Sequence, residues 1–284
     1  MALEDEVQDL NLNYRLLALD IDGTLLNSKS ELTARTKAAI FSAKERGLKV
    51  VLATGRRLGS TLPFAEALGL DELVIVHNGA LVYDLFSGRT LIQRGIDLAA
   101  AQEIVDKLDS LGINYVVYTG DSAGERVIAA QGSWDEPENL LGYYLGEEAE
   151  FLEKVNLEAS PMRISLIDRA DKIDALYVEF AASFGGKVNG MLFGSKGDTW
   201  KGIEIIPADC NKGTGLALAA ERLGLEAKHV VAIGDNVNDI EMITWAGLGV
   251  AMANGSQELK QKAKRIAPHC DEDGAAQFIE ELLA

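Results

Sequence analysis

Short apolar runs, each followed by polar residues, recur in the first and last thirds of this chain of 284 residues. The first run is Leu16–Leu19, and similar runs follow at 49–53 and 73–76. Short runs with no polar face are typical of strands buried on both sides of a sheet. Stretches of helical character separate them, the first at 32–46. Strands that alternate with helices predict βαβ units and a parallel sheet.

The middle of the chain follows a different pattern. From about residue 84, short strand patterns alternate with helical stretches such as 98–111, and the acidic stretch 133–153 is predicted to be helical. The first pattern then resumes, with a fourth buried strand at 230–233. We therefore predict an α/β protein whose parallel-sheet core is formed by residues 1–83 and 206–284. Residues 84–205 form an inserted domain of the α+β type, and the acidic residues 1–13 form a frayed lead-in.

Composition restricts the classes of function. The net charge of −17 argues against nonspecific nucleic-acid binding, which needs clustered lysine and arginine, but it leaves room for a small phosphorylated ligand. Cys210 and Cys270 give neither a disulfide framework nor a zinc-site spacing, which favours a reducing compartment. No signal peptide and no membrane span are expected from the apolar runs. We expect a cytoplasmic protein, and its oligomeric state cannot be predicted.

The polar residues at the strand ends are the candidate catalytic and ligand-binding residues. Asp20 and Asp22 directly follow the first strand, and ligands of open parallel sheets bind at the carboxyl ends of strands. Paired carboxylates there can hold a hard cation, supply a nucleophile, or do both. The alternative is an ordinary turn, because Asp and Gly are the commonest turn residues.

A second carboxylate cluster follows the fourth strand. Asp235 ends that strand, and Asp239 lies four residues later, where it could simply cap a helix. If the first and fourth strands are neighbours, Asp20 and Asp235 point into one cleft. Two carboxylates, a backbone carbonyl and water suit Mg²⁺. Lys212 and Arg56 are the candidate positive groups, although a lone lysine is usually solvated surface.

Four ordered motifs resemble those of the haloacid dehalogenase superfamily. They are DIDGTL at 20–25, ATGR at 53–56, NKG at 211–213 and GDNVND at 234–239. The sequences IEMI at 240–243 and NGA at 78–80 resemble its Cof-type branch of sugar-phosphate-like phosphatases. The resemblance implies a Rossmann-like core with an α/β cap inserted between the second and third motifs (a type 2 cap, subclass B). The inserted domain predicted above lies at that place.

The resemblance also implies an activity and a role for each motif residue. The activity is Mg²⁺-dependent hydrolysis of a small sugar-like or cofactor-like phosphomonoester through an aspartyl-phosphate. Asp20 would be the nucleophile, and Asp22 would be the general acid and base. Mg²⁺ would be held by Asp20, the carbonyl of Asp22 and Asp235. Asp239 would orient these ligands or Lys212.

The remaining implied contacts concern the phosphate and the rest of the substrate. Phosphoryl oxygens would be held by Ile21, Thr54, Gly55, Lys212 and Asn238. Arg56 and Asn78 could contact either the substrate or the cap. Candidates within the cap are Trp134, Tyr143, Tyr144, Arg163, Lys196 and Trp200, although core packing is the commoner role of buried aromatic side chains.

Two other functions remain open on these motifs. A phosphotransferase or mutase would use the same aspartyl-phosphate, and a metabolite-sensing protein would keep the fold and the site without turnover. The presence of Asp22, an acid–base group beside the nucleophile, favours hydrolysis over both.

Overall fold

The computed structural model describes residues 14–121, 124–130, 145, 149–194 and 198–284. The chain divides into two compact units. The first runs to Leu91 and resumes at Asn211, and the second is Ile92–Cys210. The inserted domain predicted from sequence, 84–205, begins and ends a few residues earlier than the second unit. None of the helices in the described ranges is both long and apolar enough to cross a membrane.

The described residues form strands and helices that we number in chain order. The strands are β1 (Leu16–Leu19), β2 (Lys49–Ala53), β3 (Leu73–Val76), β4 (Leu81–Asp84), β5 (Arg89–Gln93), β6 (Tyr115–Asp121), β7 (Gly124–Ala130), β8 (Glu150–Leu152), β9 (Arg163–Arg169), β10 (Val188–Phe193), β11 (Trp200–Pro207), β12 (Val230–Gly234), β13 (Leu248–Met252) and β14 (Arg265–Ala267). The α-helices are α1 (Ala34–Glu45), α2 (Leu58–Ala67), α3 (Leu98–Leu111), α4 (Ala170–Phe184), α5 (Lys212–Arg222), α6 (Ile240–Trp245), α7 (Gln257–Lys262) and α8 (Gly274–Leu283).

The first unit is built on an eight-stranded sheet in the order β14-β13-β12-β1-β2-β3-β4-β5. The strands from β14 to β3 are parallel, and β4 runs antiparallel to β3. All four residues of β1 are fully buried, because β1 lies in the middle of the sheet and has no exposed face. The uninterrupted apolar run of this strand is the consequence.

Strand β1 pairs in parallel with both β12 and β2. Leu19 lies opposite Ile233 on one side and Leu52 on the other. The carboxyl ends of these three strands therefore meet at one edge of the sheet, which meets the condition set above for Asp20 and Asp235 to share a cleft. The loops carrying Asp20, Thr54 and Asp235 all leave from this edge.

The second unit contains a six-stranded sheet in the order β10-β11-β9-β6-β7-β8. Its pairings are antiparallel except for that of β7 with β8. Helices α3 and α4 pack on it through buried side chains that include Ile104, Leu108, Ile173 and Phe180. The predicted α/β class, a parallel core sheet with a separate α+β unit, is confirmed.

One predicted element is wrong where it can be compared. The sequence predicted a helix over 133–153, but the end of that stretch forms the strand β8, which pairs with β7. Most of the remainder of that stretch lies outside the described residues. Phe151 is half exposed on β8. An edge strand of three residues in an acidic stretch carries no alternation of polar and apolar side chains by which it could be recognised.

Candidate active site

The turn after β1 separates its two carboxylates. Gly23 adopts a left-handed conformation with φ of 73°, and a Cβ atom there would lie 2.4 Å from Asp235 Oδ2. Only glycine fits this turn without strain and without a collision. Asp20 is 5% exposed, whereas the side chain of Asp22 is 49% exposed. The two carboxylates therefore lie in different environments although they are two residues apart.

Asp20 belongs to a buried charged cluster with Asp235, Asp239 and Lys212. One carboxylate oxygen from each aspartate lies within 4.8 Å of the others. Lys212 is 1% exposed, and its Nζ lies 2.8 Å from Asp20 Oδ1 and 2.6 Å from Asp239 Oδ1. Three carboxylates and one ammonium leave a formal charge of −2. A divalent cation has the charge that neutralises this cluster.

The pKa values in the cluster show the same excess of negative charge. Burial, followed by repulsion from Asp239, raises the pKa of Asp20 well above its usual range, although Lys212 opposes this. Burial and then Asp239 also raise the pKa of Asp235 to about 7. Burial opposes the ammonium of Lys212, but the attraction of Asp20 and Asp239 outweighs burial and raises its pKa. Lys212 is therefore a permanent positive charge at neutral pH.

Asp239 organises the loop after β12. Its Oδ2 accepts hydrogen bonds from the backbone N–H groups of Asp235 and Asn236, both at 2.9 Å, and its Oδ1 accepts one from Lys212. Gly234 leaves room for it, because a Cβ atom there would lie 2.5 Å from Asp239 Cγ. Both carboxylate oxygens are engaged, so Asp239 is suited to orienting its neighbours rather than to binding a ligand.

The loop after β2 carries Thr54, Gly55 and Arg56. Thr54 is buried, and its Oγ1 accepts a hydrogen bond from the backbone N–H of Arg56 at 3.1 Å. The guanidinium of Arg56 donates to both oxygens of Asp22, at 2.7 and 2.5 Å. It also lies 5.0 Å from the centre of the Phe64 ring, a cation–π arrangement. Arg56 was expected to contact the substrate or the cap, and the contacts of its guanidinium include those with Asp22 and Phe64.

The start of α5 and the loop after β12 complete the site. Asn211 caps α5 by accepting a hydrogen bond from the backbone N–H of Thr214 at 2.8 Å, which fixes the first turn on which Lys212 lies. Asn238 donates its Nδ2 hydrogen to Asn78 Oδ1 at 2.9 Å. The predicted core residues on four separate loops thus lie at one edge of one sheet.

Two residues of this edge were not assigned a role from sequence. Thr24 donates its hydroxyl to Asp235 Oδ1 at 3.3 Å. Asn254 donates to the carbonyl of Gly23 at 2.7 Å and accepts from the backbone N–H of Cys270 at 2.9 Å. Asn254 follows the buried strand β13. It could therefore have been found, like Asp20 and Asp235, by searching for polar residues at the carboxyl ends of buried strands. Thr24 gave no such signal.

The candidates in the second unit are only partly described. Arg163 is 1% exposed, lies over the Tyr118 ring at 4.0 Å, and its Nη1 is 3.3 Å from Glu204 Oε1. Trp200 is partly buried and packs against a hydrophobic cluster that includes Tyr118 and Ile167. Trp134, Tyr143, Tyr144 and Lys196 lie outside the described residues.

Comparison with known proteins gives consistent matches over nearly the whole chain. A family model described as haloacid dehalogenase-like hydrolase matches residues 17–279. The 5-amino-6-(5-phospho-D-ribitylamino)uracil phosphatase YwtE of Bacillus subtilis is 32% identical over 286 residues, covering 95% of this chain and 98% of that protein. Pyridoxal phosphate phosphatase YbhA of Escherichia coli is 28% identical, covering 94% and 98%. A haloacid dehalogenase-like hydrolase from Bacteroides thetaiotaomicron has a TM-score of 0.82 at 26% identity, covering 95% and 99%.

Proposed function

Because this chain belongs to the haloacid dehalogenase-like hydrolases, we propose that it hydrolyses a small sugar-like or cofactor-like phosphomonoester through a phosphorylated Asp20, with Mg²⁺. The family predicted from the sequence motifs is confirmed, as is the assignment to a hydrolase whose curated relatives are named phosphatases. The observation that carries the proposal is the cluster that Asp20 forms with Lys212, Asp235 and Asp239.

Asp20 has the surroundings that an attacking carboxylate needs. Its Oδ1 is held by Lys212, which fixes the carboxylate in place for attack on phosphorus. Formation of the aspartyl-phosphate breaks the bond from phosphorus to the leaving oxygen, and water later attacks the phosphorus to release phosphate. Lys212, Thr54, Asn238 and the backbone N–H groups of Ile21 and Gly55 would hold the phosphoryl oxygens.

Asp22 is the proposed proton donor to the leaving oxygen and the later proton acceptor from water. Its exposed side chain suits that exchange, and it lies outside the cluster that surrounds Asp20. Arg56 donates hydrogen bonds to both oxygens of Asp22, so one of these bonds must open before Asp22 can exchange a proton there. The remaining bond would keep the carboxylate oriented. A proton donor whose position is fixed can act on one oxygen atom of a bound substrate.

The variant Asp22→Asn tests this role through the leaving group. An alkyl phosphate needs a proton on its departing oxygen, so we expect its turnover to fall by about a thousandfold. A nitrophenyl phosphate needs no such proton, so it should still phosphorylate the enzyme and then stall for want of a general base. Rapid mixing should show a burst of about one nitrophenol per site. Equal losses on both substrates without a burst would contradict the role of Asp22.

Mg²⁺ is the proposed cofactor, and the donors present fit it. Carboxylate oxygens of Asp20 and Asp235 are ligands that this ion prefers, and the cluster lacks two positive charges. The backbone carbonyl of Asp22 is the third proposed ligand. When bound, the ion would neutralise negative charge on the phosphoryl group. The chain would hold it with few protein ligands and leave the other positions to water.

Metal removal should make stability depend on pH in a predictable direction. Without metal, burial and then the charge of Asp239 raise the pKa of Asp235 to about 7, whereas the pKa of an aspartate in an unfolded chain is about 3.9. The free energy of unfolding should therefore fall as the pH rises from about 4 to about 7. Mg²⁺ binds the ionised form, so it should raise the melting temperature most at the upper end of this range.

Melting curves in chelator and in excess Mg²⁺ across this pH range measure the effect. Asp235→Asn is the control, because it cannot ionise and should reduce both the pH dependence and the Mg²⁺ stabilisation. A wild-type protein whose melting temperature in chelator rises from pH 5 to pH 8, with no response to Mg²⁺, would contradict the proposed metal site.

The proposed substrate class is supported by the names of relatives rather than by any contact with a substrate in this structure. The names of two relatives specify a ribityl phosphate and pyridoxal phosphate as substrates, both of them small phosphorylated metabolites. We propose that the inserted domain, 84–205, acts as the cap that selects the substrate. A panel of phosphorylated sugars and cofactors, assayed for phosphate release with and without alcohol acceptors, tests the class. Transfer to an acceptor that outcompetes water would favour a phosphotransferase instead.

A further inference from the structure

The turn that follows β3 has an uncommon backbone. His77, Asn78 and Gly79 are all buried, and their φ angles are 49°, 52° and 93°. Residues other than glycine rarely adopt positive φ, and two in succession persist only where their surroundings impose the conformation. Such strained turns are often found at functional sites, and this turn contacts three loops of the candidate active site.

On one side, the turn is bonded to the loop after β2. The backbone N–H of Asn78 donates to the carbonyl of Thr54 at 3.0 Å, and the N–H of His77 donates to the carbonyl of Arg56 at 3.0 Å. These two bonds flank Gly55. A Cβ atom on Gly55 would lie 3.1 Å from Asn78 Nδ2, so the amide of Asn78 lies directly against this loop.

On another side, the turn packs against the first turn of α5. A Cβ atom on Gly79 would lie 2.1 Å from the carbonyl oxygen of Asn211, and one on Gly215 would lie 2.8 Å from Gly79 Cα. The backbone of the turn therefore packs directly against the backbone of the helix. The position of Lys212, at the start of this helix, depends on that contact.

The side chain of Asn78 reaches a third loop. Its Oδ1 accepts the hydrogen bond from Asn238 Nδ2 at 2.9 Å, and Asn78 is 1% exposed. Within the described residues, the buried Oδ1 of Asn238 has no hydrogen-bond partner. The bond to Asn78 is thus what fixes the orientation of the Asn238 amide. An amide nitrogen carries two hydrogens, so the second N–H is the group that Asn238 can offer to a phosphoryl oxygen.

We infer that Asn78 is a positioning residue for phosphate binding: its amide orients Asn238, and its left-handed turn sets the loops of Thr54 and Lys212 against each other. The inference rests on the proposed function, because that function makes those three residues phosphate ligands. It also replaces the expectation that Asn78 contacts substrate or cap. Preorganised donors of this kind are what phosphoryl transfer requires of a protein.

The variant Asn78→Gly separates the amide from the backbone. Glycine keeps the left-handed conformation and removes the side chain. We expect the Kd for inorganic phosphate, titrated calorimetrically with Mg²⁺, to rise about tenfold, the usual worth of one hydrogen bond. The KM for nitrophenyl phosphate should rise in parallel. Ser30→Gly is the matched control, since Ser30 is exposed, has φ of 60° and should leave both values unchanged.

A double-mutant cycle with Asn238→Ala decides whether Asn78 acts through Asn238. In the Asn238→Ala background, Asn78→Gly should change the phosphate Kd by less than about twofold, because the group it orients is gone. A further full loss of about tenfold would show independent effects and would overturn the inference. Melting curves establish whether each variant is folded. If Asn78→Gly is unfolded, Asn78→Ala replaces it in the same double-mutant cycle.

The failure of this inference is distinguishable from failure of the proposed function. A wild-type protein that binds phosphate but hydrolyses no phosphomonoester would overturn the proposed function, and the binding cycle would still measure the coupling between Asn78 and Asn238. A wild-type protein that hydrolyses phosphomonoesters with additive losses in the cycle would overturn only the positioning role. Absence of phosphate binding by the wild type would overturn both.

Discussion

Asp20→Asn will lose turnover of every phosphomonoester, by at least about ten-thousandfold, because the amide cannot form the covalent bond to phosphorus. The protein should remain folded. Burial and neighbouring carboxylates raise the pKa of Asp20, so its ionised form destabilises the metal-free fold at neutral pH. Removing that charge should leave the melting temperature in chelator equal to or above that of the wild type.

Two measurements on this variant separate lost chemistry from lost structure. Steady-state phosphate release from nitrophenyl phosphate reports turnover, and a melting curve in chelator reports the fold. Asp84→Asn offers a matched control, because Asp84 is an aspartate of the same sheet at the end of β4 whose side chain accepts hydrogen bonds from Phe86 and Ser87 in its own turn. Its turnover should be unchanged. Retained turnover in Asp20→Asn would eliminate Asp20 as the nucleophile.

Lys212→Met will have the second largest effect, and it will act on both stability and activity. Methionine fills a similar volume but leaves the carboxylates of Asp20, Asp235 and Asp239 without their only buried cation among the described residues. Breaking a buried ion pair in this way costs about 3–5 kcal/mol of unfolding free energy. Turnover should fall about a thousandfold, because a charge that stabilises the transferring phosphoryl group is lost.

Denaturant unfolding without metal at pH 7.5 measures this loss. Lys228→Met is the control, since Lys228 is exposed and its ion pair is with the exposed Glu226, and it should stay within about 0.5 kcal/mol of the wild type. Adding Asp239→Asn to Lys212→Met should restore part of the stability, because one unpaired carboxylate is removed. A Lys212→Met protein as stable as the wild type would show that the cluster does not depend on this lysine.

Much of the core could be predicted from the sequence because β1 is buried on both faces. A central strand must be apolar throughout, so its run of four apolar residues predicted the strand. The alternation of such runs with helical stretches predicted the parallel sheet. The polar residues at the ends of β1, β2 and β12 then had to meet at one edge. Spacing alone did not decide whether Asp20 and Asp22 form an ordinary turn or a functional site. The resemblance of the four motifs to those of a known family favoured the functional site.

Contacts between loops could not be predicted in the same way. Arg56 and Asp22 are 34 residues apart and lie on different loops, so nothing in the local pattern pairs them. The bond between Asn78 and Asn238 spans 160 residues and depends on a left-handed turn that no composition rule specifies. Strand β8 was missed because its pairing with β7 is set by tertiary structure rather than by its own three residues.

The central claim is that phosphate passes through a covalent bond to Asp20. Mixing the enzyme with a labelled phosphomonoester and Mg²⁺, quenching in acid within milliseconds and sequencing the labelled peptide by mass spectrometry tests it directly. We predict label on Asp20 in the wild type, more label in Asp22→Asn, and none in Asp20→Asn. Turnover by the wild type with no label on Asp20, or with the label on another residue, would contradict the claim.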